Sequence, residues 1–455
     1  MTFSKQELII FPDEYGLLTD LYELTMAACY VGEEIEAKPA SFELFVRHLP
    51  EDFGYLIAMG LTQVLEYLEQ FRFTSSQLEA LQETGIFNRA PAKFWSLLES
   101  SRFIGDVWAV PEGTAVFANE PFLRVDAPLW QAQLVETYVL NTINYQTLVA
   151  TKAARIRDVA GEKAKLLEFG TRRAFSPQGS MWAARAALAA GLDSTSNVLA
   201  ALKLGQQPSG TMAHSLVMAI SALAGSEDEA FKAFERYFPT APLLIDTYDT
   251  VTAAERLATR VKTGERQVTG VRLDSGDLVE LSQKVRSLLP NITIFASGDI
   301  DEWEVKRLCE AGASIDGYGI GTKLVTGSPV NGVYKLVEID GIPTMKESSS
   351  KVTYPGRKQI FRTLADSQIQ QDRLGLAEEK PQNGEQPLLH LVMQEGKRIQ
   401  APQSLEAIRQ RTTASVASLA VATRQLNKPT PVKVTISDFL ESLRLSIEEK
   451  NQSFQ

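Results

Sequence analysis

A chain of 455 residues exceeds one ordinary hydrophobic core, so two domains are expected. Apolar residues make up 44% and charged residues 22%, the balance of a folded globular protein rather than a disordered one. The net charge of −10 argues against general nucleic-acid or anionic-membrane binding, which needs a basic face, yet a few local arginines can still hold a small anionic substrate.

The N-terminal stretch MTFSKQELIIFPDEYG has no basic segment followed by a long apolar core and does not read as a secretory signal. No uninterrupted apolar run approaches the roughly 20 residues of a membrane span, and a cytoplasmic location is expected. Between residues 13 and 70 the pattern is mixed. DLYELTMAACY reads as a helix with Leu21, Leu24 and Ala28 on one side. SFELFVRHLP alternates Phe42, Leu44 and Val46 with polar neighbours, as a strand does, and MGLTQVLEYLEQF is helical again. The two cysteines, Cys29 and Cys309, cannot supply a disulfide framework or a thiolate-rich zinc site. They read as small buried apolar side chains in a reducing compartment.

From about residue 165 strands and helices alternate: KLLEFGTRR then GSMWAARAALAAG, APLLIDTYDT then TVTAAERLATRVKTG, VTGVRLDSGD then DLVELSQKVRSLLP, NITIFASGD then IDEWEVKRLCEAG, and last SIDGYGIGT. Alternating βα order implies a parallel sheet. Each apolar run closes on small, polar or acidic residues, as strands do at the carboxyl-end mouth of a parallel α/β fold. The fold class expected is α/β: a (β/α) barrel, complete or irregular, with an open doubly wound sheet as the alternative. After residue 333 short strand-like pieces follow, 366–386 reads as an exposed polar loop, and an amphipathic helical tail runs from Ser404 with VKVTI as a strand. Short consecutive strands cannot extend a closed barrel. The expected layout is therefore a barrel over 126–334 and a discontinuous α/β sandwich-like domain from 1–125 plus 335–455.

Several strand ends carry candidate chemistry. Gly319, Gly321 and Thr322 suit an anion approached by backbone N–H groups, and Ser297 and Gly298 on the preceding strand would share that pocket. An isolated GxGT reads equally as a tight turn. Arg272, Asp274 and Asp277 surround Ser275 and Gly276, and the first two offer a cation for an anion and a carboxylate for ribose hydroxyls or a hydrated metal. Asp277 fits the plainer role of helix cap. His214 sits near a helix start between Thr211 and Ser215. Arg172, with Arg173, follows an apolar strand and is suited to planar recognition of a carboxylate. His48 and His390 show no such context.

These motifs together resemble the nicotinate phosphoribosyltransferase family: TDLYELTMA, FELFVRHLP, LLEFGTRRAFSPQGS, SNVLA, SGTMAHS, LLIDTYDT, VRLDSGDL, FASGDIDE and YGIGTKLVT occur in order over most of the chain. The resemblance implies an irregular α/β barrel with a second α/β domain in a homodimer that shares active sites. It also implies transfer of phosphoribosyl from 5-phosphoribosyl 1-pyrophosphate to nicotinate, coupled to ATP hydrolysis. On it, His214 is the phosphorylated histidine, and Tyr22 stacks on the pyridine of the partner's site. Arg172, Thr211 and Arg272 contact nicotinate, and Asp274, Gly298, Gly321 and Thr322 contact the donor. Mg²⁺ arrives on the donor's pyrophosphate, with no direct protein ligand assigned. Some relatives carry a cysteine-rich zinc site, and with two cysteines no structural zinc is expected. The rival readings are a nicotinamide phosphoribosyltransferase, a non-catalytic phosphosugar-binding protein on the same fold, and an aldolase-like barrel. The last would want a lysine at a strand end, whereas Lys163 and Lys165 lie at the opposite end.

Overall fold

A computed structural model describes residues 8–264, 268–348 and 351–453. The chain divides into two compact units. One comprises 1–148, 329–404 and 414–455, the other 149–328 and 405–413.

In the first unit a seven-stranded sheet runs in the order Ile342–Pro343, Val333–Ile339, Pro39–Phe45, Leu123–Pro128, Asp106–Ala109, His390–Gln394, Lys397–Arg398. Its neighbours are antiparallel. The interior strand Pro39–Phe45 is buried at every residue after the first, so both faces are covered and its alternation does not mark a solvent side. Residues 366–386, expected as a loop, instead hold the strands Gln368–Leu376 and Glu385–Pro387. The polar residues of that stretch are spent internally. Asp372 takes a buried bidentate pair from Arg362, and Glu385 takes one from Arg373. Both cysteines are exposed and not buried as expected.

The second unit holds six parallel strands: β1 (Lys165–Glu168), β2 (Ser194–Thr195), β3 (Leu243–Leu244), β4 (Gly270–Leu273), β5 (Thr293–Ala296) and β6 (Gly317–Ile320). Their order is β2-β1-β6-β5-β4-β3. This is sequential order around a ring, with the last strand paired to the first: Gly317 to Ile320 of β6 lie against Lys165 to Glu168 of β1. A doubly wound sheet would instead reverse its order at a switch point. Among the described residues no ladder joins β2 to β3, so the ring is a barrel open at one seam. The chain between those two strands carries the helices Val198–Lys203, His214–Ala224 and Glu227–Tyr237. The helices after β3, β4 and β5 are each launched by a side chain that accepts backbone N–H groups: Asp249 from Thr252, Asp277 from Val279 and Glu280, Asp301 from Glu304. Residues 405–413 join this unit through Arg409, which donates to Leu192 O at 2.9 Å and Asp193 Oδ1 at 3.0 Å, and Thr412, which donates to Ala189 O at 3.0 Å.

Candidate active site

Parallel strands send their carboxyl ends to one rim, and the chemistry-bearing residues of this unit lie at those strand ends or in the segments that follow them. Arg272 stands within β4. Its Nη1 donates to Thr211 Oγ1 at 2.6 Å and to Met212 O at 3.3 Å, and its Nη2 lies 3.7 Å from Asp274 Oδ1. The side chain is 14% exposed, and burial pulls the guanidinium below its ordinary value. Asp274 and Asp246 oppose that shift, and Arg172 adds to it. Arg172 is thus close enough for its charge to be felt. It occupies the turn Thr171–Arg173, is exposed, and makes no hydrogen bond or ion pair with a described residue.

His214 opens the helix His214–Ala224, with its ring about 40% exposed. Nδ1 lies 3.1 Å from Thr247 Oγ1, while Nε2 faces Asp274 Oδ2 at 3.6 Å and Asp246 Oδ1 at 4.0 Å. One ring nitrogen therefore meets a neutral hydroxyl and the other meets two carboxylates. Asp246, 3% exposed, underlies the cluster: its Oδ2 accepts Asp274 N–H at 2.8 Å and the Ser275 hydroxyl at 3.1 Å. Neither Asp246 nor Thr247 was among the sequence candidates. The signal available was the acidic close of LLIDTYDT, which reads as helix-capping chemistry until His214 is placed beside it.

The next two strand ends complete the rim. The Ser297 hydroxyl donates to Asp274 Oδ1, and Ser297 N–H to Leu273 O at 2.8 Å. Gly298 has φ of +93°, and a Cβ there would meet Asp274 O at 2.2 Å, so the abutting ends of β4 and β5 require glycine. Gly276 also turns with positive φ. Gly319 lies within β6 with the Phe169 ring 2.5 Å from the place a Cβ would take, a packing demand. Gly321 precedes the single turn Thr322–Val325, whose far end is braced by Lys152, donating to Thr326 O at 2.8 Å and to Lys323 O.

Thr211, His214, Arg272, Asp274, Ser275 and Ser297 thus form one bonded or near-contact network, and Gly298 is packed beneath it. Tyr22 belongs to the other unit, in the first turn of the helix Leu21–Gly32 and half exposed. Its hydroxyl is bonded to Glu136, and burial, with Glu136 and Glu23 beside it, pushes the phenol upward. The neighbouring Glu23, bonded to Thr19 and Thr137, is raised by burial to about 7. Among the described residues no group of three or more His, Cys, Asp or Glu is disposed to hold a metal ion. No described helix is long and apolar enough to cross a membrane.

A carboxylate acceptor for hydroxyls, an unpaired arginine beside a buried one, a glycine turn and a histidine flanked by carboxylates suit an anionic aromatic acid and a phosphorylated sugar. Comparison with known proteins agrees. Residues 17–144 match the N-terminal domain of nicotinate phosphoribosyltransferase, 164–364 the nicotinate phosphoribosyltransferase family itself, and 383–444 its C-terminal domain. The nicotinate phosphoribosyltransferase pncB2 of Mycobacterium tuberculosis is 44% identical over 399 residues, covering 84% of this chain and 83% of its own. That of Bacillus subtilis is 44% identical over 372 residues, covering 78% and 74%. The crystal structure of human nicotinic acid phosphoribosyltransferase superposes with a TM-score of 0.83 at 30% identity, covering 94% of this chain and 99% of that one. A nicotinate-nucleotide pyrophosphorylase from Pyrococcus furiosus shares the fold, with a TM-score of 0.74 at 23% identity.

Proposed function

Because the chain belongs to the nicotinate phosphoribosyltransferase family, we propose that nicotinate and 5-phosphoribosyl 1-pyrophosphate meet at the rim just described. The chain is an enzyme that forms nicotinate mononucleotide and pyrophosphate, a step of NAD salvage. The observation that carries the placement is the pair Arg172 and Arg272, one unpaired and one held by Thr211, beside Asp274.

In this reading Arg172 and the Arg272–Thr211 pair hold the nicotinate carboxylate. Asp274, Ser275 and Gly276 take the ribose hydroxyls, and Ser297, Gly298, Gly319, Gly321 and Thr322 form the phosphate side. The pyridine nitrogen is already a nucleophile. It bonds to C1 of the ribose as the C1–O bond breaks and its electron pair leaves with pyrophosphate, so no strong base is needed. The protein aligns the two reactants and stabilises separating charge. Mg²⁺ bound to the donor would neutralise the leaving group. Asp274, one-third exposed beside Asp246, is the carboxylate placed to meet its water shell.

ATP enters through His214. A phosphoryl group is anionic and is repelled by Asp274 and Asp246 on the Nε2 side, so Nδ1, against the neutral Thr247 hydroxyl, is the nitrogen we assign to the phosphohistidine. The Nδ1–P bond forms as the bond from the γ-phosphorus to its bridging oxygen breaks, and ADP leaves. A homodimer with shared sites is the corresponding assembly. It is supported by the exposed Val198, Leu199 and Leu202 on one short helix and by the half-exposed Tyr22 in the other unit. The location is cytoplasmic. Purified protein with donor, Mg²⁺, ATP and either nicotinate or nicotinamide tests the reading by product mass. Nicotinate mononucleotide is expected, and exclusive formation of nicotinamide mononucleotide would overturn it.

A further inference from the structure

Glu168 is the last residue of β1 and is buried. One carboxylate oxygen accepts Gly170 N–H and the other accepts the Thr195 hydroxyl. No cation pairs with it among the described residues, and burial raises its carboxyl while these two bonds oppose the shift. Its donors come from different strand ends, and each leads to a nicotinate-binding group. Gly170 begins the turn that carries Arg172. A Cβ at Gly170 would meet Val325 Cγ1 at 2.3 Å and Glu168 Oε1 at 2.9 Å, so the turn is packed against Val325 and held close to the carboxylate that accepts its N–H. Thr195 closes β2. Its oxygen Oγ1 accepts Asn197 N–H at 2.9 Å, and its carbonyl accepts Ser209 N–H at 2.9 Å, two residues before Thr211.

We propose that Glu168 is a positioning residue for nicotinate, its carboxylate tying the Arg172 turn to the segment that delivers Thr211 and so setting the spacing of the two groups. The inference rests on the assignment of Arg172 and Thr211 to nicotinate. A neutral side chain with one oxygen and one amide could serve the same two neighbours, because the Thr195 hydroxyl can turn to accept. A methyl group could not.

The test is steady-state kinetics on the full-length protein with Glu168→Ala, Glu168→Gln, Arg172→Gln and the double variant Glu168→Ala/Arg172→Gln. Glu168→Ala should raise KM for nicotinate by roughly 10-fold with KM for the donor changed less than about 3-fold, and Glu168→Gln should restore near-parental values. In the Arg172→Gln background the alanine should add less than about 3-fold, since both changes remove the same alignment. Thr195→Val removes one donor at constant volume, and its selective rise in KM for nicotinate decides the matter should Glu168→Ala fail to fold. An equal rise in both Michaelis constants, or an undiminished effect of the alanine beside Arg172→Gln, overturns the positioning role. Arg172→Gln alone with an unchanged KM for nicotinate overturns the underlying assignment, and the inference with it, and is distinguished because residue 168 is untouched.

Discussion

Arg172→Gln separates nicotinate recognition from everything else the rim does. Arg172 is exposed and makes no hydrogen bond or ion pair with a described residue, so its replacement breaks no such bond; it relieves only the repulsion felt by Arg272, and the effect reports chiefly on the ligand. A charge-assisted contact to a carboxylate is worth roughly 1.5–3 kcal/mol, which converts to about a 10- to 100-fold rise in KM for nicotinate, with solvent screening favouring the lower end. Arg272→Gln should be worse and less selective. It also abandons Thr211 Oγ1 at 2.6 Å and Met212 O at 3.3 Å, and removes the cation 3.7 Å from Asp274, so the donor's KM should rise too. Nicotinamide lacks the charge, and its weak use should be little affected by Arg172→Gln, which narrows the preference for the acid. Initial rates with both pyridines at saturating donor, and with varied donor at saturating nicotinate, supply the constants. A variant that loses donor affinity while keeping nicotinate affinity would refute the reasoning and move Arg172 to the phosphates.

His214→Ala should abolish ATP hydrolysis while leaving slow ATP-independent transfer, because alignment by Arg272 and Asp274 survives. ATPase activity still stimulated by nicotinate and donor would contradict the phosphohistidine. Tyr22→Ala and Arg272→Ala protomers, each inactive alone, should regain activity when mixed and allowed to exchange. No recovery with exchange verified by mass would mean each site is built from one chain. In the first unit, burial and the adjoining Asp372 push Glu120 well above its ordinary value near 4.5. The unfolded chain releases that proton near 4.5 and the folded chain only at higher pH, so its stabilising share is full below 4.5 and declines as pH rises. Glu120→Gln, permanently neutral, should therefore gain melting temperature relative to the parent between pH 5 and 8, and parallel profiles for the two would exclude a protonated Glu120.

The βα rhythm after residue 165 was legible because buried parallel strands are short apolar runs and each must end at the rim in polar residues. Local motifs such as SGTMAHS and VRLDSGDL carried the family and most of the rim. Residues 366–386 were not legible as strands: their charges pair across strands, and a sequence shows a charge without its partner. The same holds for Glu168, Asp246 and Thr247. Each reads as an ordinary strand-end or capping residue, and only the side-by-side pairing of β1, β3 and β4 with their neighbours brings Glu168 under the Arg172 turn and Asp246 under His214. Sequence by itself determined the alternation, the strand ends and the residue types gathered at them, since these follow from periodicity and local backbone demands. Tertiary structure alone decided that the strand order is cyclic with one open seam, which arginine is paired and which is free, and which nitrogen of His214 faces carboxylates. Those outcomes depend on contacts between residues tens of positions apart, whose distances no local pattern encodes.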